Sequence, residues 1–231
     1  MKGSLKEETT ICVIKYLCGL VLLMLALPLG TGCSTDHSRK RDEVEKGWTC
    51  TKEADEAMMR NDYEGGILLH QRLLDKEPKN ALALYHLGYA YGRVGENLKE
   101  VSYYEKAIGL GFKIDRIFFN LGMAYGELHQ TEKSIGAFKE ALAINPDRAD
   151  NHFGLGLAYQ MKVADRLAEE EFMKAITIDP DHVDARLSLG LLYADRGEMK
   201  KAAEQVRKVL EIDPSNARAR EILEIIGNHL R

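Results

Sequence analysis

Cysteine and histidine, the side chains that most often carry chemistry, are few in this chain and scattered along it. The 231 residues include four cysteines and seven histidines, yet they form no CxxC pair and no HExxH pair. Such spacings matter because they bring ligand atoms together, where they can bind zinc. No glycine-rich loop has the form GxxxxGK[ST], and the acidic stretch around Asp179 lacks the ligand pattern of a calcium loop. The sequence therefore predicts no catalytic constellation, no metal site and no cofactor, and we interpret the protein as not an enzyme.

Cys33 lies where the chain changes character. Residues 16–29, a run of 14, carry no charge, whereas nearly every residue just after Cys33 is polar or charged. This run is shorter than the roughly 20 residues of a transmembrane helix and fits the apolar core of a secretory signal. Gly30, Thr31 and Gly32 place small residues directly before the cysteine. The pattern indicates a processing and attachment site.

The stretch from Gly30 to Cys33 resembles the lipobox of bacterial lipoproteins, although Gly30 stands where that family usually has leucine. The resemblance implies cleavage before Cys33, a diacylglycerol on its sulfur and an acylated new amino terminus. Residues 1–32 are then a signal peptide, and residues 33–46 form a polar tether that reaches about 20 Å. Two or three acyl chains anchor a protein stably, whereas a single chain is marginal. An uncleaved transmembrane signal anchor and a chance cysteine beside an ordinary signal remain as alternatives.

The remaining thiol and the charge balance both indicate an ordinary globular protein. With the signal removed and Cys33 lipidated, Cys50 would be left alone, so we interpret it as a small buried apolar residue. Lysine and arginine total 32 against 36 aspartate and glutamate, a net charge of −4. A nucleic-acid binder would show a basic excess, so no nucleic-acid partner is expected.

The rest of the chain repeats every 34 residues. A Leu-Gly pair begins at positions 87, 121, 155 and 189, a tyrosine follows each glycine by three, and prolines stand at 146, 180 and 214. Leucine and tyrosine four residues apart share a helix face, and the glycine lets a second helix approach closely. The residue before each proline avoids the helical region, which ends that second helix. The layer between the two helices is predicted to be filled by Tyr104, Phe138, Phe172 and Val206.

This pattern resembles the tetratricopeptide repeat (TPR). The resemblance implies an all-α fold, a right-handed α-solenoid of five TPR helix pairs plus a C-terminal capping helix. The repeats, within residues 47–216, are predicted at 47–80, 81–114, 115–148, 149–182 and 183–216. Residues 217–231 are the predicted cap, with one apolar and one charged face.

Two repeats depart from the pattern. The first has Glu53-Ala54 in place of Leu-Gly, as a terminal repeat that faces water on one side can. The second has Glu100 where alanine is expected and lacks its proline, so we expect an irregular loop at its end.

The family's geometry places certain positions of each first helix on a concave binding surface. In this chain those positions are apolar or aromatic: Tyr85, Tyr89, Phe119, Met123, Phe153, Leu157, Leu187 and Leu191. They predict a groove for an extended or amphipathic apolar segment of a partner protein. The alternative is that they are core residues covered by neighbouring helices. The Lys, Arg and Asn set of a carboxylate clamp is missing from these positions.

These features together predict a lipid-anchored protein-protein interaction scaffold of the bacterial cell envelope, facing the periplasm. Ser34 in place of an aspartate favours the outer membrane. The layout resembles assembly factors of type IV pilus secretins and of outer-membrane barrels. A structural organiser of an inner-membrane complex, held by an uncleaved signal anchor, is the alternative, and an envelope enzyme is a third that the missing catalytic constellation disfavours.

Overall fold

The computed structural model describes residues 47–229, which contain eleven α-helices and no β-strand. The helices are α1 (Lys52–Met59), α2 (Tyr63–Lys76), α3 (Ala81–Arg93), α4 (Asn97–Gly109), α5 (Asp115–Glu127), α6 (Thr131–Ile144), α7 (Ala149–Met161), α8 (Asp165–Ile178), α9 (Val183–Asp195), α10 (Met199–Ile212) and α11 (Ala217–His229). None of the helices between residues 47 and 229 is both long and apolar enough to cross a bilayer. The predicted signal peptide, the tether and Cys33 lie outside the described residues.

The described residues form two compact units, 47–144 and 145–229. The first unit contains α1 to α6, and the second contains α7 to α11. Each predicted repeat window holds two helices, and the two helices of each window pack against each other. The all-helical architecture agrees with the predicted fold class.

A glycine on the first helix of a pair fixes how closely the second helix approaches. A Cβ atom added at this glycine would lie only 2.5–3.0 Å from a buried side chain of the second helix. The four contacts are Gly88 with Tyr104 and Gly122 with Phe138 in the first unit, and Gly156 with Phe172 and Gly190 with Val206 in the second. Real Cβ atoms essentially never approach closer than 3.0 Å, so only glycine allows the spacing at Gly88, Gly122 and Gly156, and a Cβ at Gly190 would make a very tight contact. The predicted roles of the glycine and of the filling residue are confirmed.

The repeating tyrosine links its helix to the second helix of the preceding pair. Three such hydrogen bonds join a tyrosine hydroxyl to a polar side chain: Tyr91 accepts from Gln71 at 2.9 Å, Tyr125 donates to Glu105 at 2.6 Å and Tyr193 donates to Glu169 at 2.9 Å. Since these bonds join adjacent pairs within one unit, they add to the nearest-neighbour stabilisation on which repeat proteins depend.

The turn inside every helix pair has the same backbone conformation. One residue after the first helix has a positive φ: Asn61 (59°), Gly95 (79°), His129 (56°), Val163 (58°) and Gly197 (76°). The next residue's N–H donates to a carbonyl five residues earlier, at 2.8–3.0 Å, as between Ala164 and Tyr159. These bonds form the Schellman motif, which satisfies carbonyl groups at a helix end.

The second helix pair has Glu100 in place of alanine and lacks the repeat's proline, and the structure at both positions is regular. Glu100 is buried and its carboxyl group lies beside Gly92, where an added Cβ would be 2.5 Å away. Burial, together with the nearby Glu127 carboxylate, raises the pKa of Glu100 to about 8. The loop after this pair differs from the expected irregular one. Gly111 has a φ of 92°, and the Phe112 N–H donates to the Ala107 carbonyl at 3.0 Å, which closes α4 with another glycine turn.

Helix α11 packs its apolar face on α10. Ala219, Ile222 and Ile226 are buried, whereas Glu221 and Glu224 on other faces are exposed. This division of apolar and charged faces is the one a terminal capping helix requires.

Candidate functional site

The predicted binding residues of the first unit differ in exposure. Tyr85 is only 2% exposed and its ring lies 5.3 Å from that of Phe112, so it is a core residue. Tyr89 on α3 is 38% exposed, and Phe119 and Met123 on α5 are half-buried. Helices α3 and α5 are in contact. The first unit therefore presents three of its four predicted residues to solvent.

In the second unit the four predicted residues are all buried. Phe153, Leu157, Leu187 and Leu191 are each 5% exposed or less. Their helices α7 and α9 are buried over most of their surface, as is typical of helices that are apolar on all sides. In this structure these four residues are therefore core residues, as the alternative interpretation of the predicted groove expects. The residues of the predicted set that remain accessible are Tyr89, Phe119 and Met123.

A second group of side chains meets at the start of the first unit. Cys50 precedes α1, while Asp55, His70 and His86 lie on α1, α2 and α3. One potential metal-ligating atom from each lies within 4.8 Å of the other three. The Nδ1 atom of His86 is 3.4 Å from the Cys50 sulfur, 3.0 Å from the His70 Nε2 and 3.7 Å from the Asp55 Oδ1. We call these four residues the polar cluster.

Hydrogen bonds and burial fix the state of two cluster members. His70 is fully buried, and its Nδ1 lies 2.7 Å from the Gly66 carbonyl, which can only accept, so Nδ1 carries a proton. Burial also lowers the pKa of His70, which favours its neutral form, and raises the pKa of Asp55 above its ordinary value. A neutral His70 then directs the lone pair of Nε2 into the cluster. The Asp55 Oδ1 atom is buried without a hydrogen-bond partner.

The sequence prediction missed the polar cluster and gave only part of the environment of Cys50, which also packs against the hydrophobic core. Cys50 is half-buried, and its sulfur lies within hydrogen-bonding distance of His86, so it does more than fill apolar space. The four residues come from one loop and three helices, separated by 5, 15 and 16 positions, and no local motif relates them. The one available signal was a cysteine and a histidine in the atypical first repeat, followed by a second histidine, His86, early in the next repeat.

Fold and repeat pattern together define the class of this protein. Models of the tetratricopeptide repeat match residues 51–111 and 166–226, and a model described as TPR repeat matches residues 122–163. The chain is therefore a tetratricopeptide-repeat protein, a class that typically provides scaffolds for protein-protein interaction. No curated protein matches the sequence.

Solved structures with a similar fold include those of MamA, PilW and YrrB. MamA is 26% identical with a TM-score of 0.66, covering 74% of this chain and 99% of its own. PilW, described as a widely conserved type IV pilus biogenesis factor, is 22% identical with a TM-score of 0.69, covering 77% of this chain and 84% of its own. YrrB, described as a TPR protein with an unusual peptide-binding site, is 21% identical with a TM-score of 0.63. The match covers 80% of this chain and 97% of the YrrB chain.

Proposed function

We propose that this protein is a non-enzymatic scaffold that binds an apolar or amphipathic segment of a partner protein on α3 and α5 of the first unit. The observation that carries the proposal is the exposure of Tyr89 at a register position where TPR proteins contact their ligands. On α5, Met123 occupies the equivalent position and Phe119 lies one turn earlier, and both keep part of their surface in solvent. Large apolar side chains in such positions are the usual anchors of peptide-binding grooves.

The surroundings of Tyr89 favour an aromatic anchor of fixed orientation. Its ring lies edge-on to that of Tyr63, with centroids 6.2 Å apart. The Arg93 guanidinium lies 5.3 Å from the centre of the same Tyr63 ring. Tyrosine held in this way offers contact area with little further loss of conformational freedom, and Arg93 adds a positive charge that suits an amphipathic partner carrying acidic residues.

The double variant Tyr89→Asn with Met123→Asn tests this binding face. Partners are first captured by crosslinking in native membranes and identified by mass spectrometry, and the affinity of each purified partner is then measured. Since both side chains are already partly buried, the loss of their remaining contact area should total about 2–3 kcal/mol, a roughly 30- to 150-fold weaker affinity. Helical circular dichroism should not change.

The matched control is Leu98→Asn, which removes an apolar side chain that is 72% exposed on the second helix of the same pair. It should leave affinity unchanged. Leu157 is unsuitable for this comparison, because an asparagine at that buried position would place an unpaired amide in the second unit. A folded double variant that binds every identified partner as tightly as the wild type would exclude this face.

We further propose that the scaffold is lipid-anchored through Cys33 in the bacterial cell envelope, facing the periplasm, and serves the assembly of an envelope complex. The lipobox resemblance at Gly30 to Cys33 supports the anchor. The likeness to PilW, a type IV pilus biogenesis factor, supports an assembly role. The alternative anchor is an uncleaved transmembrane signal, although the uncharged run at residues 16–29 is shorter than the roughly 20 residues of a spanning helix.

The substitution Cys33→Ala separates the two anchors. If Cys33 is lipidated, the variant loses labelling by radioactive palmitate and accumulates as an unprocessed precursor, because the attachment atom is gone. A matched Cys50→Ala variant should still be labelled and processed. A wild-type mature protein that is held in the membrane and still begins before Cys33 would instead support the signal anchor.

A further inference from the structure

The polar cluster has more hydrogen-bond acceptors than donors to satisfy them. His70 Nε2 and Asp55 Oδ1 both need a donor or a cation, and the nearby His86 Nδ1 can offer at most one proton. If that proton bonds His70 at 3.0 Å, the buried Asp55 oxygen remains without a partner. If His86 Nδ1 is unprotonated, two lone pairs face each other at 3.0 Å. A single cation at the centre of the cluster would satisfy the Asp55 oxygen and the His70 nitrogen at once, with Cys50 and His86 as its other two ligands.

We propose that Cys50, Asp55, His70 and His86 bind one divalent transition-metal ion, Zn²⁺ in particular, as a structural site. This inference goes beyond the scaffold function and does not rest on it. Zinc takes four ligands of the cysteine, histidine and carboxylate types in tetrahedral structural sites. A thiolate, a carboxylate and two neutral imidazoles carry a total charge that balances a divalent ion. The site is therefore neutral when occupied, as a partly buried site requires.

The distances within the polar cluster suit tetrahedral coordination. With metal–nitrogen and metal–oxygen bonds of about 2.0–2.1 Å and a metal–sulfur bond of about 2.3 Å, ligand atoms of a tetrahedron are roughly 3.3–3.6 Å apart. The three measured separations from His86 Nδ1 are 3.0, 3.4 and 3.7 Å, and the remaining ones are within 4.8 Å. Bonding to a common tetrahedral ion would require the longest of these separations to shorten by at most about 1.5 Å.

A second interaction supports His70 as a ligand. Metal-bound histidines usually donate their other ring N–H to a carbonyl or carboxylate, which fixes the tautomer and the ring orientation. The 2.7 Å contact between His70 Nδ1 and the Gly66 carbonyl is such a bond. An added Cβ at Gly66 would lie 2.6 Å from the Met58 sulfur, so α1 and α2 are already closely packed next to this bond.

The position of the polar cluster gives the metal a structural role. Helix α1 has only eight residues, and its buried residues are the two alanines Ala54 and Ala57. A helix this short is marginal unless tertiary contacts hold it. A metal ion bound by Cys50 and Asp55 on one side and by His70 and His86 on the other would fasten α1 to α2 and α3. The weak first helix pair would thus gain a crosslink at the start of the first unit.

Cobalt substitution tests the site directly. The purified full-length chain is stripped with a chelator, dialysed and titrated with Co²⁺. One equivalent should produce a thiolate-to-cobalt charge-transfer band in the near ultraviolet and the visible bands of tetrahedral cobalt, and one equivalent of Zn²⁺ should abolish both. Chelation should lower the melting temperature and Zn²⁺ should restore it, because the ion binds the folded state.

Substitutions assign the signal to this cluster. Cys50→Ser should remove the charge-transfer band, whereas replacing Cys12, Cys18 and Cys33 by serine should leave it. Asp55→Asn should weaken Zn²⁺ affinity at least tenfold while preserving the side-chain shape, which avoids the folding defect that a change at the buried His70 could cause. The matched control His129→Gln, at an exposed turn residue, should bind like the wild type.

Three results would overturn the proposal. They are a cobalt spectrum without a charge-transfer band, a band that survives Cys50→Ser, and a melting temperature that does not respond to Zn²⁺. Each would indicate that the polar cluster is a hydrogen-bonded group in the metal-free protein. None of them depends on partner binding, so they leave the scaffold proposal unaffected.

Discussion

Replacing Glu100 with glutamine is expected to remove a pH dependence of up to about 5 kcal/mol from the free energy of unfolding between pH 4.5 and pH 8. Burial raises the pKa of this carboxyl group from 4.5 in the unfolded chain to about 8 in the folded protein. Each pKa unit corresponds to about 1.4 kcal/mol, which gives the upper figure. The carboxyl group has room at this buried position because α3 has Gly92 at the contact.

The sign of the effect follows from the raised pKa. Below about pH 4.5 Glu100 is protonated in both states and the fold bears no penalty. As the pH rises towards 8, the unfolded state loses the proton first, so the folded state is progressively destabilised. The raised pKa of Glu127, whose carboxylate accepts from Asn97 at 2.6 Å, acts in the same direction. Wild-type stability should therefore fall over this range.

Urea denaturation at several pH values from 5 to 8 measures this difference. Glu100→Gln should be nearly as stable as the wild type at pH 5 and clearly more stable at pH 8. The control Glu140→Gln, on the exposed surface of α6, should follow the wild-type pH profile. Parallel profiles for Glu100→Gln and the wild type would show that Glu100 is ionised in the folded protein at neutral pH.

Deleting residues 217–231 is expected to lower the melting temperature markedly and to promote aggregation. The deletion removes the buried Ile222 and Ile226 and uncovers the face of α10 on which α11 packs. The two isoleucines alone account for about 3–6 kcal/mol of apolar burial. Repeat proteins depend on terminal helices with a polar outer face, so the loss should affect the second unit first.

Differential scanning calorimetry and light scattering follow this change. The pair Ile222→Ala and Ile226→Ala keeps the chain length and should reproduce most of the destabilisation. Its matched control, Glu221→Ala with Glu224→Ala, changes exposed positions of the same helix and should have little effect. If the deletion left both the melting temperature and solubility unchanged, α11 would not act as a cap.

The 34-residue period was sufficient to predict the helices and much of their packing. Leu-Gly and tyrosine at fixed spacing imply one particular helix–helix contact, and the buried pairs formed by Gly122 with Phe138 and Gly156 with Phe172 show this contact. The loop after α4 was harder to predict, because Phe112 stands where the other repeats have proline and a positive φ at Gly111 ends the helix by a different mechanism. Backbone conformation at a single glycine cannot be read from periodicity.

The repeat pattern predicted the register of the binding residues but not their exposure to solvent. Tyr89 and Leu157 occupy equivalent positions, yet one is 38% and the other 5% exposed. Exposure depends on the neighbours of each side chain, which a repeat pattern does not specify. The polar cluster could not be predicted either, because it too depends on packing. Cys50 and His86 are 36 positions apart and meet only where three helices pack together.

The turn shared by the five helix pairs also shows where the stability of the protein can be changed by substitution. Its backbone requires the left-handed region at one position per pair, yet three of those five positions hold Asn61, His129 and Val163 in place of glycine. Valine is among the residues least suited to this conformation, and Val163 is 82% exposed, so no packing of its side chain compensates. The five turns keep one geometry because the hydrogen bonds around them impose it. At Val163, in the second unit, the protein is therefore less stable than its fold allows, and a substitution there could raise its stability without altering the proposed binding face on α3 and α5.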